Sequence, residues 1–364
     1  MFDRLGSQSH HRLRWFLGLF VTWLAVSAQA ADAPKTAEDW LEQLGPALNA
    51  TSYKGVFVYS RGDQVSSMRI AHRFHDGEVQ ERLVIQDGDQ GEIIRRGGRV
   101  FCILPSHGRI QLDAVLPSGP FSEAFSSKLP PFRRWYAARL LDDDRVAGHR
   151  AVVVALNPKD VHRYRYRLWL EKTSGLLVKS QVLANDDTVL ERFQFTMLEL
   201  TDDIPDSEFQ IPFEDPRQAL SLDKAEARIA AAAPPPEPSQ PAKFAWSLGW
   251  HPEGFQETPS PHSHTGQAVA FSDGLASFSV FIAPVGNKDM PTGISRIGAT
   301  TIFMRKMVVG DQRHLVTVVG EIPPDTAMKV GRSVFVQKNR EPARVGTEPG
   351  SDMAARPQAT AGSE

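Results

Sequence analysis

The sequence predicts a mainly β chain of α+β character: a large curved antiparallel sheet with helices, then a smaller antiparallel sheet carrying one helix. Short runs of strand character recur between residues 56 and 198, separated by Gly, Asp and Ser turns. That is the spacing of an antiparallel meander curling into a barrel or half-barrel. An Asp273-Gly274 turn joins two alternating runs, 268–271 and 275–281, which is a strong short-range hairpin signal. Between the two regions lies AEARIAAAAPPPEPSQPA, residues 225–242, whose prolines favour an extended spacer over a core segment.

The elements follow in chain order. Arg4, Arg12 and Arg14 precede an apolar run at 15–26, and Ser27-Ala28-Gln29-Ala30 supplies the small residues of a cleavage site. This is the order of a secretory signal peptide, residues 1–30, cleaved near Ala30. The apolar run falls short of the roughly 20 residues a spanning helix needs. A helix is expected next, with Thr36 as N-cap, Asp39 three positions on and Glu38 at the positive helix end. Trp40, Leu41 and Leu44 form its apolar stripe, and Gly45-Pro46 limits or kinks it.

Six strands are then expected at 56–59, 68–74, 82–85, 92–95, 100–104 and 109–112. The segment 121–139, rich in Phe and Pro and then in Ala and Arg, reads as a loop followed by a helix. Four more strands follow at 150–156, 162–171, 176–183 and 189–198. In the second of these, Tyr164, Tyr166, Leu168 and Leu170 share one face, and Arg163, Arg165, Arg167 and Trp169 the other. The three arginines read as a solvated outer face paired with acids such as Glu191. The alternative is a docking patch for an acidic partner or lipid phosphates.

Beyond the spacer, a strand signal at 244–246 and a Pro/Gly-punctuated turn at 250–255 precede the Asp-Gly hairpin. Runs at 301–308 and 313–320 follow, and Pro323-Pro324 before Asp325, Thr326, Ala327 and Met328 has the Pro-first pattern of a helix start. Most aromatic rings here are expected in the core. Trp250 and Phe255, flanking the turn, are the candidates for exposed contact. Residues 340–364 hold almost no large apolar side chain and read as a disordered tail.

Composition narrows the function. The 364-residue chain has a formal net charge of −2, without the basic footprint of a nucleic-acid binder. Its one cysteine, Cys102, cannot form an internal disulfide and reads as a buried small hydrophobe in an apolar run. No P-loop, Gly-x-Gly-x-x-Gly, His-Glu-x-x-His or Gly-x-Ser-x-Gly occurs. His251, His262 and His264 lie close in sequence, but in a Pro/Ser/Gly loop where solvated histidines are the ordinary reading. Asp142–Asp144 and Asp202-Asp203 read as turn formers or caps. No cofactor or metal is expected, and the chain reads as a binder rather than an enzyme.

Three words carry a resemblance. They are Trp250-x-Pro252-x-Gly254-Phe255, then Ser272-Asp273-Gly274-Leu275-x-Ser277-Phe278-Ser279, and VGEIPPDTA at 319–327. Together they resemble the C-terminal domain of the MucB/RseB family of periplasmic sigma-factor regulators, most closely its MucB branch. The resemblance implies a LolA/LolB-like half-barrel at 31–218 that senses lipid, a linker at 219–242 and an anti-sigma-binding domain at 243–339. It further implies a periplasmic location, and as partner the periplasmic domain of a single-pass anti-sigma factor, shielded from regulated proteolysis. Lipid A, lipopolysaccharide or acyl chains are the implied regulatory ligand, and a homodimer the implied assembly. A lipid or lipoprotein carrier of the LolA type is the alternative.

On this reading the lipid-pocket candidates are Trp40, Leu44, Val56, Val58, Leu83, Ile85, Phe101, Ile103, Tyr166 and Leu168, with Phe125, Phe132 and Trp135 in a lid. The partner-binding candidates are Trp250, Phe255, Asp273, Gly274, Phe278 and Glu321.

Overall fold

The computed structural model describes residues 35–88, 91–96, 99–104, 108–112, 132–210, 219–221, 246–258, 268–285 and 290–336. The expected signal peptide, most of the expected linker and the expected tail lie outside them. Helix α1 (Ala37–Ala50) begins with a full capping box. The Thr36 side chain accepts from the Asp39 N–H at 3.2 Å, and Asp39 accepts from the Thr36 N–H at 2.7 Å. The helix runs through Pro46 to Ala50 and buries Trp40, Leu41 and Leu44.

Twelve strands form the first sheet: β1 (Tyr53–Arg61), β2 (Gln64–His75), β3 (Glu78–Ile85), β4 (Glu92–Arg96), β5 (Arg99–Leu104), β6 (Gly108–Leu112), β7 (Tyr136–Val146), β8 (His149–Pro158), β9 (Arg165–Glu171), β10 (Leu177–Leu183), β11 (Val189–Leu200) and β12 (Ala219–Ser221). The order is β12-β6-β5-β4-β3-β2-β1-β11-β10-β9-β8-β7. β7 and β12 stand at opposite edges, so the sheet is open rather than a closed barrel. β12 pairs with β6 in parallel, while the other pairings are antiparallel. The fold class is the expected one, mainly β with a large antiparallel sheet and a smaller one.

The segment expected to be a loop and then a helix is corrected. A short 3-10 turn, Phe132–Arg134, leads directly into β7. The Ala and Arg residues of 137–139 favour a helix locally, but pairing with β8 overrides that preference. Asp142–Asp144 is likewise a strand feature and not a turn. The register jumps from Leu141↔Val153 to Asp144↔Ala151, so Asp142 and Asp143 sit in a β-bulge. Asp144 then accepts from the Trp169 indole at 2.8 Å.

The first core gathers α1, Tyr53, Phe57 and Ile70 with the buried side chains of β8–β11, among them Tyr166, Leu168, Phe193 and Phe195. The other face of β2 is covered separately, where Ala71 packs under Ile204 and Phe209. Arg69 and Arg73 pair there with Glu208 and Asp206.

A two-stranded ribbon joins β13 (Trp246–Leu248) to β20 (Val334–Val336). The smaller sheet has the order β14-β15-β16-β19-β18-β17. Its strands are β14 (Gln256–Thr258), β15 (Ala268–Ser272), β16 (Ser277–Pro284), β17 (Gly293–Ile297), β18 (Thr300–Val309) and β19 (Gln312–Gly320). Helix α2 (Pro324–Ser333) starts with Pro at its first position and buries Thr326, Ala327, Val330 and Gly331. It closes a core of Phe255, Phe271, Phe278, Val280, Ile282, Phe303, Val316 and Val318. Phe271 and Phe278, directly opposite in register, stack at 5.1 Å.

Thr36→Ala removes the acceptor for one of the orphan N–H groups of α1. Urea unfolding is expected to show a loss of about 1 kcal/mol, the usual cost of an N-cap.

Candidate functional site

The seam where the smaller sheet meets the first sheet concentrates buried charge. Its centre is Arg163, in the lead-in to β9, with a side chain that is 0% exposed. Arg163 Nε donates to Asp273 Oδ2 at 2.5 Å, Nη2 to the Glu253 carbonyl at 2.5 Å, and Nη1 to Asp160. The rings of Trp135 and Phe255 lie 5.1 and 4.8 Å from its guanidinium carbon, where cation–π attraction adds to the ion pair.

Asp273 reaches Arg163 because the hairpin turn orients it. Its Oδ1 accepts from the N–H groups of Leu275 at 2.9 Å and Ala276 at 2.8 Å, an Asx-type turn. That leaves Oδ2 for the arginine, so one carboxylate both shapes the turn and clasps the other sheet. The Trp250–Phe255 word acquires a reason here too. Gly254 has φ +91°, and a Cβ on it would run into the Trp135 ring; only glycine allows this turn to lie against the indole. Leu275 and Ala299, from the smaller sheet's turns, are buried in the first core.

A second set of contacts marks another stretch of the seam. Glu191 is 6% exposed and accepts from the Tyr59 hydroxyl at 2.5 Å and the Ala299 N–H at 2.9 Å. Arg61 lies 3.3 Å from the same carboxylate and donates to the Ile297 carbonyl and to Thr300. The β17–β18 turn therefore rests on the ends of β1 and β11. Gly298 at its tip has φ +59° and leaves no room for a Cβ beside Arg61 and Glu191.

Thr301 Oγ1 donates to the Ile322 carbonyl at 2.7 Å and lies 3.5 Å from the Tyr164 hydroxyl. His162 Nδ1 lies 3.1 Å from Thr326 Oγ1, and its ring stands edge-on to Trp250 at 5.0 Å. Burial holds that imidazole below its usual pKa. Glu321, half-buried, titrates at about 7. Burial is the main cause and the Glu191 carboxylate the second, with Arg61 opposing both.

The structure redistributes the sequence candidates. Trp40, Leu44, Tyr166 and Leu168 are buried in the first core, and Leu83 packs on its margin. Ile85 is half-buried. Val56, Val58, Phe101 and Ile103 are corrected, because they face the other way. The core face of β1 is Tyr53, Gly55 and Phe57. Register aligns Val56 with Ile103, and Phe101 with Ala71, across β1–β5. Val56-Phe57-Val58 is apolar on both faces, so alternation carries no phase there. Trp135 is half-buried at the seam, Phe132 lies in the 3-10 turn, and Phe125 falls outside the described residues.

Among the partner candidates, Trp250 is half-buried with the Lys329 ammonium 3.7 Å from its ring centre. Phe255 is corrected as an exposed contact. It is 2% exposed, tilted against Phe278 at 5.2 Å, because Arg163 and the second core cover it from two sides. Phe278 is core, and Asp273 and Gly274 are buried in the seam.

The expected solvated arginine face is also corrected. Arg163 is buried, and Arg165 and Arg167 pair with Asp187 rather than with Glu191. Cys102 is half-buried, and burial pushes its thiol pKa up. His251 packs beside Phe271 at 5.2 Å, while His262 and His264 lie outside the described residues. Among the described residues no three His, Cys, Asp or Glu side chains are grouped to hold a metal ion. Sequence reasoning missed Arg61 and the 297–300 turn altogether. The one available signal was a glycine between two apolar residues.

Two family models match: the MucB/RseB N-terminal domain over residues 36–213 and the MucB/RseB C-terminal domain over 240–335. The sigma factor AlgU regulatory protein MucB of Pseudomonas aeruginosa is 36% identical over 323 residues, 85% of this chain and 93% of that protein. The sigma-E factor regulatory protein RseB of Haemophilus influenzae is 26% identical over 315 residues, 85% of this chain and 95% of its own length. A solved complex of P. aeruginosa MucA and MucB superimposes with a TM-score of 0.64 at 32% identity. The match covers 83% of this chain and 99% of that one.

Asp273→Ala takes from Arg163 its fully buried partner, leaving it Asp160 and the Glu253 carbonyl, and removes the turn's acceptor; urea unfolding is expected to show a loss of about 3 kcal/mol, as for a broken buried pair. Asp273→Asn keeps a turn acceptor and should lose less.

For Glu321 the folded-state pKa lies above the unfolded value. The folded state therefore holds the extra proton between pH 4.5 and about 7, and stability falls as pH rises through that window. Glu321→Gln should flatten the pH dependence of thermal unfolding there; an unchanged slope would remove Glu321 from the seam's pH response.

Proposed function

The chain belongs to the MucB/RseB family, and on that footing we propose that it is a periplasmic negative regulator of a sigma factor. In this reading it binds the periplasmic domain of a membrane anti-sigma factor and shields that domain from the protease that begins its breakdown. The sigma factor then stays sequestered. Lipid or lipopolysaccharide, taken up by the first sheet and its helix, relieves the shield. The observation that carries the reading is the likeness to the MucA/MucB complex over most of this chain.

The seam supplies a physical route for the relief. A lipid shifts the balance between two arrangements only if it binds one better than the other, and by no more than that difference. The first core, where α1 lies against the sheet, extends without a break into the seam through Leu275 and Ala299. A ligand that displaced apolar side chains in that core would therefore disturb the surface on which the smaller sheet docks. The seam is held by buried charge, which tolerates small displacements poorly, because an unpaired buried ion costs several kcal/mol.

The test is a proteolysis assay with a purified anti-sigma periplasmic domain, its initiating protease and the full chain. Cleavage is expected to slow sharply when the chain is added and to recover when lipopolysaccharide is included. A cleavage rate indifferent to the chain would overturn the proposal. Extraction of lipoprotein from membranes by the same preparation would favour a carrier instead.

A further inference from the structure

The face of β7–β10 that bears Arg165 and Arg167 has a pocket outside the seam. It holds about 120 Å³ and is lined by Arg139, Arg165, Arg167, Asn157 and Leu141, with Ala155 among them. The ladder explains its shape. Arg139 stands opposite Ala155, and Ala155 opposite Arg167. Two guanidinium side chains therefore rise from strands about 10 Å apart with a single methyl group between them. Arg165, two residues before Arg167, points to the same face and bounds a third side.

The charges do not balance. Arg165 and Arg167 share one oxygen of Asp187, and Arg139 forms no ion pair among the described residues. Three arginines against one aspartate leave a surplus of two positive charges at the pocket. In addition, the Arg165 Nε–H is buried and meets no acceptor among the described residues. A buried donor left so is unfavourable, and an arriving acceptor would relieve it.

We propose that this pocket binds a phosphate monoester group, carried either by a soluble compound or by a lipid headgroup that ends in such a phosphate. Arginine forks on three sides suit a tetrahedral oxyanion, which they can grip bidentately. A phosphate monoester carries about −1.5 to −2 charge near neutrality, which matches the surplus, whereas a single carboxylate would offset only half of it. Ala155 keeps the floor low enough for the group to sit between Arg139 and Arg167.

Isothermal titration of the full chain with inorganic phosphate at low salt tests this directly. Saturable binding is expected, weakened at least tenfold in an Arg139→Gln/Arg167→Gln double variant. Ala155→Met, which changes no charge but fills the floor, should weaken it similarly, with unchanged thermal unfolding as the check that it is folded. Absence of saturable binding overturns the proposal. So does an Ala155→Met variant that binds like the parent, since the response would then come from diffuse surface charge. Flotation with phosphatidylcholine vesicles, with and without phosphatidic acid, separates the two sources. Phosphatidic-acid-dependent flotation that Ala155→Met abolishes assigns the pocket to a headgroup. Phosphate binding without flotation assigns it to a soluble monoester.

Discussion

The Arg163–Asp273 ion pair, fully buried between the two sheets, sets the terms for much of what surrounds it. Removing two charges from water costs several kcal/mol for each ion, repaid only by close geometry and completed hydrogen bonds. Here the geometry is completed from several directions. The Asp-Gly turn aims the carboxylate, Asp160 and the Glu253 carbonyl take the remaining guanidinium donors, and two aromatic rings cover the cation. Such a pair adds little net stability compared with an apolar packing. It does penalise any docking that leaves it incomplete, so it specifies one arrangement of the sheets.

The 297–300 turn extends that arrangement with a different chemistry. There the contacts are a shared carboxylate, a tyrosine hydroxyl and an arginine, with Glu321 near neutrality beside them. The seam thus combines a fully buried ion pair with a carboxyl whose pKa burial raises to about 7.

One short run shows how far local sequence reaches. Between 162 and 170 the alternation of Tyr164, Tyr166, Leu168 and Leu170 against the arginines was legible, and those four side chains are all buried. The fates of Arg163, Arg165 and Arg167 were not. They differ because the smaller sheet covers only the first, while Asp187 and the β7–β8 ladder surround the other two. The capping box of α1, the Asp-Gly hairpin and the Pro-first helix were readable because each rests on neighbours within four residues. β7 was hidden because Ala and Arg favour a helix until a partner strand pairs with them. The family words in the C-terminal region were readable as a resemblance, while the physical reason for Gly254 and Asp273 lies across the seam.

By itself the sequence determined the fold class, most strands, the two helices among the described residues and the absence of familiar catalytic motifs, since periodicity, caps and turn chemistry are local properties. Only the tertiary structure decided which face of β1 is core, that Phe255 is enclosed, and that Arg163 and Asp273 meet. Those outcomes depend on register and on contacts between residues about a hundred positions apart. An apolar run such as Val56-Phe57-Val58 carries no phase until a neighbouring strand supplies one, and a charged side chain has no fate until its partner arrives.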